Sequence, residues 1–309
     1  MRIAVLANAD SWYYRDIARA AGDLQIECVR ADFTRFVGTA GKSRIEDRGS
    51  QGEPVDGDSL SGDSFSSLFD CSSADVVLVR TMPPGTLEQV VFRMDALAQR
   101  EAQGTRVINS PKALECAVDK YLTTARCQAA GLPVPETVVC ESEDSALAAF
   151  AELGGDVVVK PLFGSEGRGI LRVSDSDLAL RTFRTLSRLG AVLYLQRFVS
   201  HPGYDTRLLV LDGEVLGGMK RFAAAGEFRT NVSQQGRAEM HVPTPAECEL
   251  AQRAAAATGT WFAGVDLLSD YDGRGSVVEV NAVPGWKAFG RVNEMDVANV
   301  LLKRIRDGK

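Results

Sequence analysis

The sequence predicts an α/β protein in which a small parallel α/β unit precedes α+β units rich in antiparallel strands. Three observations carry that expectation. The chain opens as strand, helix, strand: apolar runs at 3–7 and 25–30 flank a helical pattern at 13–21. A glycine loop from Gly164 to Gly169 sits between two apolar, strand-like runs rather than between a strand and a helix. Beyond Ser200 two Asp-Gly pairs, Asp212-Gly213 and Asp272-Gly273, each separate apolar runs, the pattern of β-hairpins.

The chain has 309 residues, enough for two or three packed units. With 45% hydrophobic and 25% charged residues it has the composition of a soluble globular protein. Its net charge of −6 argues against a nucleic-acid partner, which needs a concentrated basic face. The six cysteines show no CxxC spacing and only His201 and His241 are histidines, which argues against zinc. Free thiols fit a reducing cytoplasm. The apolar run at the N-terminus is too short for a signal peptide or a membrane span, and no other run reaches spanning length.

In chain order, the strand at 3–7 leads to a helix expected to stop at Gly22, then to a strand at 25–30. The first turn, Asn8-Ala9-Asp10-Ser11, lacks the glycine fingerprint of a dinucleotide site, so no nicotinamide cofactor is expected. Residues 38–73 are rich in Gly, Ser and Asp and read as a mobile polar loop. A strand at 75–80, a helix at 87–103 and a short strand at 106–109 complete the first unit. Ser110-Pro111 starts a helix that Gly131 ends, with Lys120 inside it. Then come a strand at 137–140, a helix at 143–153, strands at 157–160 and 170–173, a helix at 177–189 and a strand at 192–198. Hairpin strands at 206–211 and 215–221 follow, and a Thr244-to-Glu247 capping box opens a helix that ends near Gly259. A second hairpin and a closing amphipathic helix at 292–305 finish the chain.

The second hairpin carries the densest chemistry. Centred on Asp272-Gly273, its partners sum to 545, so Asp266 faces Glu279, and Asn281 projects from the same face two residues on. Three oxygen donors on an otherwise apolar ribbon suit magnesium, which completes its shell with water and nucleotide phosphate. The alternative is a surface hairpin whose acids face water. The GxxGxG loop can fold over a polyphosphate, its N–H groups facing anionic oxygens, or be a simple glycine turn. Lys120 and Lys160 are point charges suited to such a polyanion, unless they are ordinary surface lysines. Arg207, Lys220, Arg221 and Arg229 gather positive charge in an acidic chain, either as a solvated face or to offset charge on a transferring phosphoryl group or hold a carboxylate. No serine–histidine–acid or cysteine–histidine order is visible, which argues against a protein nucleophile.

Taken in order, these residues resemble the ATP-grasp ligases, in the branch of the ribosomal-protein glutamate ligases. The resemblance runs from about Ala74 to Lys303 through Val-Ile-Asn-Ser-Pro at 107–111, Asp119-Lys120, Val-Lys-Pro with the glycine loop at 159–169, and Leu-Gln-Arg-Phe-Val at 195–199. It continues through Asp205 and Arg207, Gly-Glu-Phe-Arg-Thr-Asn at 226–231, Asp266, and Glu-Val-Asn with Pro-Gly at 279–285. The resemblance implies an ATP-grasp fold: a leading α/β domain at 1–109, a first lobe at 110–195, and a second lobe with the metal site at 196–309. It implies that Lys120, Lys160 and the loop residues Gly164, Ser165, Gly167 and Gly169 hold nucleotide phosphates. Gln196, Arg197, Phe198 and Val199 would form the adenine hinge, with Asp205 and Lys220 also at the nucleotide. Asp266, Glu279 and Asn281 would bind two magnesium ions, with manganese as an alternative, while Arg207, Arg221, Arg229 and Asn231 would surround the γ-phosphate.

Two places depart from the close glutamate ligases: Val-Ser-Gln-Gln-Gly-Arg after Asn231, and Trp286-Lys287-Ala288-Phe289, which is similar to ligases of tetrahydromethanopterin-type cofactor pathways. Both are expected on the acceptor side. The function implied is an ATP-dependent, ADP-forming carboxylate–amine ligase that adds glutamate or another α-amino acid to a small-molecule cofactor or a protein C-terminus. A small-molecule kinase and a nucleotide-binding regulator without turnover are the rival readings. A homo-oligomer is left open.

Overall fold

The computed structural model describes residues 1–37, 74–164, 168–224, 227–228 and 237–308. The polar stretch at 38–73, expected as a mobile loop, lies outside the described residues. The chain divides into two compact units, Met1–Pro111 with Ala298–Lys309, and Lys112–Val297.

In the first unit β1 (Arg2–Leu6), α1 (Trp12–Asp23), β2 (Glu27–Ala31), β3 (Val76–Val79), α2 (Leu87–Ala102) and β4 (Arg106–Ile108) build a parallel sheet of order β2-β1-β3-β4. Strand β3 is apolar along its whole length and β1 from Ile3 onward because helices must cover both faces of such a sheet. Helix α1 does not stop at Gly22. Its end is closed by the N–H of buried Ile26 donating to the Ala21 carbonyl at 2.9 Å, and the left-handed residue this closure needs is Gln25, at φ 56°.

The second unit opens with α3 (Pro111–Val118) and α4 (Lys120–Ala129), where one continuous helix was expected. The break falls at Asp119, whose carboxylate accepts the N–H of Leu122 at 3.0 Å and so starts a new helix. An aspartate competes with the helix ladder for backbone N–H groups and is better placed at an N-cap than inside. Next come β5 (Thr137–Cys140), α5 (Glu143–Glu152), β6 (Val157–Lys160), β7 (Leu171–Val173), α6 (Ser176–Arg188) and β8 (Leu193–Arg197). Their antiparallel sheet, order β5-β8-β6-β7, buries Phe150, Phe183, Leu193 and Leu195 under the two helices.

A larger antiparallel sheet follows, of order β11-β10-β9-β12-β13. It comprises β9 (Tyr204–Leu211), β10 (Glu214–Phe222), β11 (Ala238–His241), β12 (Phe262–Ser269) and β13 (Gly275–Asn281), with α7 (Pro245–Thr258) packed on one face. The Thr244–Glu247 capping box opens α7 and left-handed Gly259 ends it, as the sequence indicates. Asp212-Gly213 makes a two-residue turn with both residues at positive φ, joining Leu211 to Glu214.

The closing helix expected at 292–305 is α9 (Val297–Asp307), and a short helix α8 (Lys287–Val292) precedes it, with Glu294 between them at φ 51°. Most of α9 belongs to the first unit, not to the second lobe to which the sequence assigned it. Helix α8 lies against β10 where that strand bulges between Val215 and Gly217. A Cβ on Gly217 would meet the Phe289 ring at 3.3 Å, so the side-chain-free residue is what lets the helix approach. Among the described residues no helix is long and apolar enough to cross a membrane.

Trp286 and Phe289, expected on the acceptor side, are fully buried, and Trp286 packs on Phe262 with ring centroids 5.8 Å apart. The two rings anchor α8 in the core. Trp286→Ala should therefore cost about 3–5 kcal/mol of stability in a urea titration; a variant of unaltered stability whose acceptor KM changes would place the ring at the substrate instead.

Candidate active site

The site is built on the β12–β13 ribbon. Gly264 pairs with Asn281, Val265 with Val280 and Asp266 with Glu279, the register expected from the sequence. The turn end differs. Five residues, 270–274, form the turn, with Ser269 paired to Gly275, and the Asp270 carboxylate accepts the N–H groups of Asp272 and Arg274. A bulge between Asp266 and Leu267 absorbs the one-residue difference, so the acids still face each other. The sheet extends the row: Arg207 on β9 lies opposite Asp266, and Asp205 lies opposite Arg221 on β10.

These four charges form one lattice. Arg207 donates to both Asp266 oxygens, from Nε at 2.6 Å and Nη2 at 2.7 Å. Arg221 donates to both Asp205 oxygens, at 2.7 and 2.5 Å, and its Nη2 also reaches Asp266 Oδ2 at 2.8 Å. The Asp266 side chain is only 1% exposed. Burial would push its pKa up, but Arg207 and Arg221 outweigh that and hold it below the usual carboxylate range. Burial likewise opposes the charge on Arg221, yet Asp266 and Asp205 hold its pKa above the ordinary value. Lys220 is separated from this group. It alternates to the opposite face of β10, where its ammonium sits 4.3 Å from the Tyr204 ring centroid.

The two lysines come from different elements, Lys120 from α4 and Lys160 from the smaller sheet. Lys120 is the first residue of α4, not an interior one, and its Nζ donates to the Gly164 carbonyl at 2.8 Å, tying the glycine loop to the helix. Lys160 ends β6, and its Nζ donates to Gln196 Oε1 at 2.7 Å. Burial lowers the pKa of both, that of Lys160 to about 8, although Glu279 acts on each in the opposite direction. Glu279 thus acts electrostatically on both amines, while Asp266 is hydrogen-bonded to both guanidiniums.

Gly164 and Gly169 take positive φ, and a Cβ on either would touch the Pro161 ring, whereas Ser165 and Gly167 lie outside the described residues, as do Arg229 and Asn231. In the stretch expected as a hinge, the Gln196 side chain turns inward and is buried. Arg197 pairs with Glu136, and Phe198 lies under the Arg172 guanidinium at 3.5 Å. Asp205, expected at the nucleotide, has both oxygens on Arg221. The sequence does not reveal the inward role of Gln196 or its contacts with Thr137 and Tyr194, because these depend on the pairing of Thr137 with Gln196 across β5 and β8.

The donor set fits magnesium. Every candidate ligand is an oxygen, and the Asn281 amide is oriented by its Oδ1 accepting the Val283 N–H at 2.8 Å. Among the described residues no group of three or more His, Cys, Asp or Glu is placed to hold a metal ion, and the set here is two acids and an amide.

Residues 117–305 match the model of the RimK-like ATP-grasp domain. The tetrahydromethanopterin:α-L-glutamate ligase of Methanosarcina acetivorans is 35% identical over 263 residues, covering 76% of this chain and 81% of that protein. Among solved structures, the RimK domain ATP-grasp protein from Sphaerobacter thermophilus superposes with a TM-score of 0.70 at 25% identity, covering 98% of each chain. The D-alanine–D-alanine ligase from Bacillus anthracis, solved with ATP, shares the fold at a TM-score of 0.65 and 18% identity, with 99% of this chain and 96% of that one covered. The chain belongs to the RimK-like ATP-grasp family and is an ATP-dependent ligase.

Proposed function

We propose that this ligase adds glutamate, or a related α-amino acid, to a carboxylate on a small-molecule cofactor of the tetrahydromethanopterin class. The observation that supports the site chemistry is the joining of two lysines, two arginines and an oxygen-only donor set within one compact unit. The glutamate and cofactor classes are those in the name of the 35% identical relative. A peptide acceptor is the second reading, favoured by the shared fold of an ATP-grasp ligase solved with a precursor peptide.

In this reading Lys120 and Lys160 hold the nucleotide phosphates, with the glycine loop over them. The N–H groups of Arg197 and Phe198 already donate to the Glu136 and Asp156 carbonyls, so adenine would meet their carbonyls and the Val199 backbone. Arg207 and Arg221, with Arg229 and Asn231, offset charge on the γ-phosphoryl group as it passes to the acceptor carboxylate. The amine of the amino acid attacks the resulting acyl phosphate; phosphate leaves, the nitrogen loses a proton and an amide forms. Asp266, Glu279 and Asn281 would hold two magnesium ions, or manganese, which when bound neutralise phosphate oxygens. Because Asp205 and Asp266 already orient both guanidiniums, little reorganisation is left for the chemical step. The buried thiols of Cys116 and Cys127 fit a reducing cytoplasm as the setting.

ADP release should require both an amine and an acceptor; a stable phosphorylated product would instead identify a kinase, and nucleotide binding without turnover a regulator. Glu279→Gln should abolish turnover while leaving the melting temperature close to that of the parent, and retained activity would exclude the metal role. Lys160 holds phosphate only while protonated. With its pKa lowered to about 8, ATP affinity should persist below that pH and fall as pH rises through it. Lys160→Met should weaken ATP binding and remove this alkaline dependence, as read by calorimetry with a non-hydrolysable ATP analogue and magnesium.

A further inference from the structure

Lys160 is held by a buried chain of hydrogen bonds whose direction is determined at every link. Its Nζ donates to Gln196 Oε1 at 2.7 Å. Gln196 Nε2 donates to Thr137 Oγ1 at 3.0 Å and to the Tyr194 hydroxyl at 3.2 Å. Thr137 spends its own hydroxyl hydrogen on the Pro135 carbonyl at 2.8 Å, so it can only accept from Gln196. Thr124 spends its hydrogen on the Lys120 carbonyl at 2.8 Å and therefore accepts from Tyr194, also at 2.8 Å. Tyr194 in turn can only accept from Gln196. Both amide hydrogens of Gln196 are thus committed, and its carbonyl oxygen must face Lys160; the flipped amide would set two donors against the ammonium and two acceptors against each other.

Gln196 is 3% exposed and Tyr194 1% exposed, so neither side chain is available to solvent for other bonds. The far end of the chain is the backbone carbonyl of Lys120, the other phosphate-facing lysine. The remaining charges acting on Lys160 come from Glu279 on β13, Asp266 on β12 and Lys120 on α4. Against the burial that disfavours its ammonium, the Gln196 oxygen is the acceptor bonded to it.

We propose that Gln196, oriented by Thr137 and Tyr194, is a positioning residue that aims Lys160 and keeps it protonated for nucleotide phosphate, rather than a contact to adenine. The proposal rests on the assignment of Lys160 to phosphate binding made above. It concerns the substrate-binding state of the lysine, which a role confined to packing would leave unchanged.

The test is the pH dependence of binding of a non-hydrolysable ATP analogue with magnesium to the full-length protein, from neutral to alkaline pH. In Gln196→Leu the acceptor is gone, so affinity at neutral pH should fall roughly tenfold and the alkaline loss should begin at lower pH. In Gln196→Glu a carboxylate replaces the amide oxygen, and the alkaline loss should move to higher pH. Tyr194→Phe frees the Gln196 amide to turn and should shift the loss downward by less than Gln196→Leu; together with Gln196→Glu it keeps the test decisive if the leucine variant does not fold. Alkaline limbs of folded Gln196 and Tyr194 variants that coincide with the parent's overturn the proposal. If Lys160→Met binds the analogue as tightly as the parent, the phosphate assignment itself fails. If Lys160→Met loses affinity while the Gln196 variants keep the parent's limb, only the positioning role is lost.

Discussion

The second unit depends on the burial of Asp266 between two arginines. An isolated carboxylate at 1% exposure would cost many kcal/mol to desolvate, and the ion would protonate rather than bear it. Here three charge-assisted hydrogen bonds reach its two oxygens, and Asp205 supplies the second counter-charge that Arg221 needs. None of the four is stable at its depth without the others. They meet only because β9, β10 and β12 pair in one register; a slip by one residue would send each alternate side chain to the opposite face. The lattice therefore ties function to the alignment of the sheet.

The lysines are treated differently. They have no comparable ion pair among the bonds described; Lys160 is bonded to a neutral amide and Lys120 to a loop carbonyl. Partial burial lowers both pKa values, which leaves cations that gain from an incoming polyanion. Both guanidiniums are held in place by acids, whereas each ammonium has one neutral acceptor among the bonds described; under the proposed function the lysines are the groups left to receive the nucleotide.

Where the structure departs from sequence-based expectation, the competing force can be named. Asp119 turns one helix into two because capping α4 is better for an aspartate than lying inside a helix, and this puts Lys120 at a helix start beside the glycine loop. The two Asp-Gly pairs behave differently: Asp212-Gly213 makes the two-residue turn, whereas the Asp270 carboxylate organises a wider turn around Gly273. The dipeptides are identical, so the difference lies in what flanks them, above all Asp270, whose carboxylate binds two N–H groups of the wider turn. The stretch after Pro284-Gly285, expected on the acceptor side from the resemblance, places two rings in the core, Trp286 against Phe262 and Phe289 against Gly217 at the β10 bulge.

Several local signals were legible in the sequence: the Asp212-Gly213 turn, the Thr244–Glu247 cap and Gly259 end of α7, the strands flanking the glycine loop, and the opposition of Asp266 to Glu279, because each depends on residues close together along the chain. The family resemblance was legible for the same reason, through short motifs in order. The tertiary structure decided which charges neutralise one another. That Asp205 serves Arg221, that Lys220 faces away, and that Gln196 holds Lys160 follow from strand register between segments distant in sequence, where one residue of shift exchanges the two faces of a sheet.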